Sequence, residues 1–223
     1  MQSVRRTTLA FALDRIKRLV SLGANGPLDY FRYLFWVRAK RLDFGPASLE
    51  TLGLSPNRSV HHSASGGILL AEVCKRIEIP PGSRILDLGS GKGAAVCTLA
   101  RFPFDEILGC ELSESLVRIA DANTRKLGLE NVHFVVSDAS KFTDLDRFTH
   151  VYMFNPFPAL VVKEVMMNVA ASLIRKPRWV TLIYLYPVCG DVVMGCGLFT
   201  RRAEIHFPSS HPFHVYHHEH GRP

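Results

Sequence analysis

Asp87, Glu111, Asp138 and Asn155 each close a short apolar run. The first run is Ile85, Leu86 and Leu88, which predicts a strand buried on both faces. Gly89, Gly91 and Gly93 follow at alternate positions, and Ala94 to Ala100 then predicts a helix. A strand, a glycine-rich turn and a helix start make a place for a nucleotide-like ligand. Glycine turns tightly at positive φ and lacks the Cβ that would hold a ligand away. The spacing Gly-x-Gly-x-Gly is not the Gly-x-Gly-x-x-Gly that cradles a pyrophosphate. Asp87, two residues before the first glycine, would repel one. It suits a cationic or hydroxyl-rich ligand, such as the sulfonium amino-acid part and ribose of S-adenosylmethionine. Taken alone, the glycine trio is equally compatible with an ordinary tight turn.

The later runs add to it. Glu106 to Leu112 predicts a second buried strand carrying Glu111, near the ~20-residue separation at which a carboxylate takes ribose hydroxyls. Asn131 to Ala139 predicts a third, ending in Asp138, placed to accept from an adenine amino group. His150 to Pro158 predicts a fourth, ending in Asn155 and proline. In an open α/β sheet, ligands bind outside the carboxyl ends of the strands.

Asp87-Leu-Gly-Ser-Gly-Lys-Gly93, the Gly-Cys-Glu111-Leu112 step, Ser137-Asp138-Ala139 and Asn155-Pro156-Phe157 resemble motifs of the class I, S-adenosylmethionine-dependent methyltransferases. The likeness runs from about Ser59 to the C-terminus. It is greatest to small bacterial members of that superfamily. It is more distant to the histone lysine methyltransferases that lack a SET domain, which carry N-x-F where this chain has Asn155-Pro156-Phe157. The resemblance implies an α/β fold: a Rossmann-like, mainly parallel seven-stranded sheet with helices on both faces. It implies S-adenosyl-L-methionine as cofactor, bound by Ser65, Asp87, Gly89, Ser90, Gly91, Gly93, Glu111, Leu112, Asp138, Ala139 and Asn155. It implies Asn155, Pro156 and Phe157 as catalytic residues. Amine and amide nitrogen methyltransferases use N-P-P-[YF]; here Phe157 replaces the second proline, which sets the adenine and glutamine acceptors of that motif aside. The function implied is N-methylation, with a protein lysine as leading acceptor. A small-molecule or nucleic-acid acceptor, or a non-catalytic S-adenosylmethionine-binding module, are the alternatives. Asn155-Pro156 as a plain strand terminator remains open.

The elements that must position these residues follow from the rest of the chain. Its 223 residues suit one α/β domain with an extension. We divide it into a basic, aromatic-rich helical extension (1–44), a loop over the cofactor site (45–67) and the methyltransferase domain (68–223). Residues 1–41 hold nine basic and two acidic side chains, which is the whole formal excess of +7. Leu9, Leu13, Ile16 and Val20 share one helical face; Gly23 to Pro27 interrupts it, and Tyr30 to Val37 predicts a second, aromatic helix. An anionic membrane surface, an acidic partner or nucleic acid are its possible contacts, and a solvated helical cap is the plain reading. The loop contains Ser63 and Ser65, which suit a cofactor carboxylate, and His61 and His62, where a general base near the acceptor competes with a surface loop.

Beyond it, helices are predicted over Ile68 to Ile77, Glu114 to Leu127 and Val161 to Ile174. Ser113 and Gly128 cap the second of these. A fifth strand over Trp179 to Tyr186 and an antiparallel pair over Leu198 to Phe207 and Phe213 to His217 complete the sheet. The histidines from His206 to His220 have irregular spacing and no partner acids or cysteines, so no metal is expected. Five scattered cysteines argue for reduced thiols and a cytoplasmic setting. No run reaches the ~20 apolar residues of a membrane span.

Overall fold

Short apolar runs separated by amphipathic segments of helical period can bury both kinds of element only as a layered α/β sandwich. The computed structural model describes residues 26–46, 65–155, 157–208 and 210–220. The predicted helix over Leu9 to Val20, most of the 45–67 loop with His61, His62 and Ser63, and Pro156 lie outside the described residues. Seven strands form one sheet: β1 (Arg84–Leu88), β2 (Glu106–Glu111), β3 (Val132–Val136), β4 (His150–Phe154), β5 (Val180–Leu185), β6 (Thr200–Ile205) and β7 (Phe213–His218). Their order is β3-β2-β1-β4-β5-β7-β6. The first five are parallel, and β7 joins β5 and β6 antiparallel.

Helices α1 (Gly26–Ala39), α2 (Ile68–Cys74), α3 (Ala94–Leu99), α4 (Glu114–Leu127), α5 (Ala159–Arg175) and α6 (Gly190–Gly195) surround it. Alternation along each strand sends neighbours to opposite faces, and each face has its own core. Leu86, Leu88, Val151, Met153, Leu182 and Tyr184 pack with Val162, Val165 and Val169 of α5 and Val193 of α6. Ile85, Ile107, Tyr152 and Ile183 pack with Leu70 and Val73 of α2 and Val96 and Leu99 of α3. The mainly parallel seven-stranded sheet with helices on both faces is therefore the observed one.

Several boundaries move. The helix predicted to Ile77 ends at Cys74, and its terminal turn continues as bonds from Lys75 and Arg76 back to Ala71 and Val73. The third strand stops at Val136, leaving Asp138 in the turn beyond it. The fourth stops at Phe154. Gly26 and Pro27, read as part of a break, are the first turn of α1. Proline's fixed φ and missing N–H cost nothing there. Helix α6 was not anticipated, because six residues with a glycine at either end carry little periodicity. The capping of α4 is as expected: Ser113 accepts from Leu116 N–H, and Gly128 takes φ 65°.

Candidate functional site

The carboxyl ends of β1, β2, β3 and β4 lie side by side, so their four terminal polar residues share one edge of the sheet. Gly89, Gly91 and Gly93 all have positive φ, at 80°, 53° and 79°. Side chains are disfavoured there. A Cβ on Gly93 would also come within 3.2 Å of both Phe134 and Ala120, so the same glycine lets α3 start close to α4.

Asp87 lies on β1 between Gly109 of β2 and Tyr152 of β4, in register with both. It is 2% exposed. Its Oδ2 has no hydrogen-bond partner among the described residues, and neither has the Ser90 hydroxyl one turn later. Burial, and then the charge of Glu111, push the Asp87 carboxyl up to about 8. Gly109 makes room for this arrangement. A Cβ there would sit 2.4 Å from the Phe134 ring and 2.7 Å from the Ser90 hydroxyl.

Glu111 does two jobs. Its Oε2 accepts from Gly91 N–H at 2.9 Å and its Oε1 from Ser113 N–H at 2.9 Å. It pins the glycine turn to the loop that starts α4, and each oxygen keeps a second lone pair for a ligand. Asp138 accepts from both the N–H (3.0 Å) and the hydroxyl (2.7 Å) of Ser140, which fixes its turn beside the buried Ala139. Leu112 is half-buried between Glu111 and Ser113. Ser65 comes to the same edge by its backbone. Its carbonyl accepts from the Tyr152 hydroxyl at 3.5 Å, and two residues on Gly67 N–H donates to Thr98 of α3 at 2.7 Å.

Asn155, half-buried, follows β4 with φ 31°. Its N–H donates to Leu185 O at 3.2 Å. Tyr186, at the matching place after β5, has φ 53°. Two non-glycine residues in the left-handed region at the ends of adjacent strands mark stored backbone strain. Phe157 is half-buried against the core beneath α5.

Sequence reasoning missed Lys92 and Asp43. The Lys92 ammonium, in the middle of the glycine turn and almost fully buried, pairs with Asp43 at 2.8 and 3.0 Å. Asn123 of α4 donates to the carbonyls of both residues and accepts from Asp43 N–H. No spacing signal joins residues 43, 92 and 123. Only the basic residue inside an otherwise small-residue turn hinted at it.

Other chemistries lack their parts. Burial pushes the thiols of Cys74, Cys97 and Cys110 up to about 12, which makes them poor nucleophiles. Among the described residues no group of three or more His, Cys, Asp or Glu side chains is placed to hold a metal ion. His206 and His214 face Glu204 instead.

The residues present fit S-adenosylmethionine. A buried carboxyl group with one unpartnered oxygen suits its cationic amino-acid portion, Glu111 and Asp138 retain acceptor capacity for hydroxyl and amino groups, and the glycines leave backbone exposed to it.

Residues 79–181 match a family model described as a methyltransferase domain. The human EEF1A lysine methyltransferase 2 is 34% identical over 61 residues, 27% of this chain and 26% of its own. The (S)-tetrahydroprotoberberine N-methyltransferase of Eschscholzia californica is 24% identical over 185 residues, 78% of this chain and 49% of its own. The chain thus spans about a quarter to a half of the length of these curated relatives. An S-adenosylmethionine-dependent methyltransferase from Aquifex aeolicus superposes with a TM-score of 0.53 at 20% identity, over 66% of this chain and 88% of its own. Residues 79–181 of this chain are thus similar to a methyltransferase domain, set in a fold shared with an S-adenosylmethionine-dependent methyltransferase.

Proposed function

We propose that the protein transfers a methyl group from S-adenosylmethionine to an amine nitrogen, with a protein lysine as the leading acceptor. The observation that carries this reading is Asn155, held at φ 31° at the end of β4, the strand beside Asp87. Bound there, the cofactor supplies a sulfonium methyl that is already an activated electrophile. The protein's task is to aim a nucleophile and exclude water. Asp87, Ser90, Glu111, Leu112, Asp138, Ala139, Ser65 and the three glycines hold the cofactor. The Asn155 amide oxygen accepts an N–H of the amine and leaves its lone pair free to attack. Pro156 adds its carbonyl as a second acceptor, and Phe157 walls the acceptor side. The names of the two curated relatives support a nitrogen acceptor, one being a lysine methyltransferase and the other a tetrahydroprotoberberine N-methyltransferase. The resemblance to N-x-F supports the lysine.

The test is transfer of radiolabelled methyl into a cell extract, divided into protease-sensitive, nuclease-sensitive and filterable fractions. Label in the protease-sensitive fraction, recovered as methyl-lysine, is expected. Label in the filtrate or the nucleic acid overturns the lysine, and cofactor binding without transfer overturns catalysis in favour of a binding module. Asn155→Ala should lower kcat roughly a hundredfold, the scale of one preorganised hydrogen-bond partner, with a smaller loss of cofactor affinity.

A further inference from the structure

Helix α1 is apolar on two sides. One side faces the domain: the Tyr33 ring lies 3.2 Å from where a Cβ on Gly67 would be. With Trp36 it roofs a cavity of about 820 Å³ over α2 and α3. The other side carries Leu28, Phe31, Leu34 and Phe35, which are 49%, 66%, 40% and 75% exposed. Residues at positions 28, 31 and 35 share a face at helical spacing. Arg38, exposed, stands in line with Phe31 at the end of this face, and Arg32, exposed, lies at the margin next to the cavity. The acid on the helix is Asp29, and it pairs with Arg32 at 3.5 Å. No helix among the described residues is long and apolar enough to cross a membrane.

We propose that this outer face of α1 is a docking surface for an anionic lipid bilayer, with the helix lying in the interface plane. Apolar side chains in a central row reach the acyl boundary. Arg38 at the end of that row and Arg32 at its margin lay their alkyl stems on the apolar surface and keep the guanidinium among headgroups. The charge is complementary, since residues 1–41 hold the whole positive excess of the protein, and Arg38, Lys40 and Arg41 are exposed at the end of the helix. This inference concerns where the protein sits and does not rest on the identity of the methyl acceptor.

Sedimentation of the full chain with phosphatidylcholine vesicles, with and without phosphatidylglycerol, tests it. Binding should be at least about tenfold tighter to the anionic vesicles. Arg38→Gln should weaken it about fivefold, since each basic residue near the surface contributes on the order of that factor. Phe31→Asp with Phe35→Asp should abolish binding and leave cofactor binding intact. As a second probe, Phe35→Trp should show indole emission quenched by brominated lipid beyond that of the parent. Equal binding to neutral vesicles, no binding to anionic ones, or binding that survives the double substitution would overturn the proposal. So would a solution dimer, or retention of single-stranded RNA, that the double substitution abolishes while vesicles fail to bind.

Discussion

The two ends of the parallel strands are chemically opposite. At the amino ends, polar groups are saturated by one another. His150 Nδ1 is 3.0 Å from the Thr149 hydroxyl and its Nε2 is 3.0 Å from the Glu78 carbonyl. Arg147 reaches both oxygens of Glu106, and Arg178 donates to the carbonyls of Leu145 and Phe148. At the carboxyl ends, Asp87 and Ser90 are left with open hydrogen-bonding atoms, and Asn155 and Tyr186 sit at positive φ. The same strands supply both edges, so secondary structure does not explain the difference. An unpaired buried polar group costs about 1–3 kcal/mol and a charged one more. The fold concentrates that cost on the edge where a ligand can relieve it, and completes the other edge for stability alone.

The sharpest way to break this contrast is Asp87→Asn. The Asp87 carboxyl is raised in the fold, so its ionisation opposes folding from about pH 4 upward and the effect is complete above about pH 8. The cofactor-free variant should gain stability over the parent as pH rises, by on the order of 5 kcal/mol at pH 8. Its affinity for S-adenosylmethionine should fall. Denaturant unfolding across that pH range measures the first, and parallel curves for the two proteins would refute the strain we assign to this edge.

His150→Gln examines the opposite edge. Burial holds the imidazole down at about 4. A depressed histidine is neutral in the fold, so the parent should lose about 3 kcal/mol between pH 6.5 and 4 as the unfolded chain takes up the proton. The variant, destabilised at neutral pH, should lack that loss, and the gap between the two should close on acidification. A gap of constant size would mean that the ring is not held neutral.

Asp43→Asn should have the smallest effect on folding, about 1 kcal/mol, because Asp43 is half-exposed and its attraction to Lys92 is screened. Its effect on cofactor titration should be the larger one, a severalfold loss, since the substitution frees a lysine within the glycine turn.

Most of the carboxyl edge was legible beforehand, because its residues end apolar runs and strand ends are visible as pattern. Asp87 and Glu111 stand on the strands where the strand reading placed them, and Asp138 lies in the turn just past its strand. The pinning role of Glu111 was not legible, since it depends on two backbone N–H groups from different loops. The amino edge was invisible. His150 reads as one more histidine until Trp179 and Phe104 close around it, each with ring centroids 5.1 Å away. Tertiary contact, rather than spacing, makes it a buried neutral base. The left-handed backbone at Asn155 was equally hidden, because nothing in its type demands it.

The ion pair between Asp43 and Lys92, with Asn123 bridging both, makes the turn beneath the cofactor and the segment after α1 one mechanical unit. Any contact that draws α1 outward must therefore alter the free energy of the cofactor turn. By thermodynamic reciprocity, a filled turn must alter the affinity of α1 for that contact by the same factor. Occupancy and location are then linked variables, and measuring vesicle binding with and without cofactor gives their coupling free energy directly.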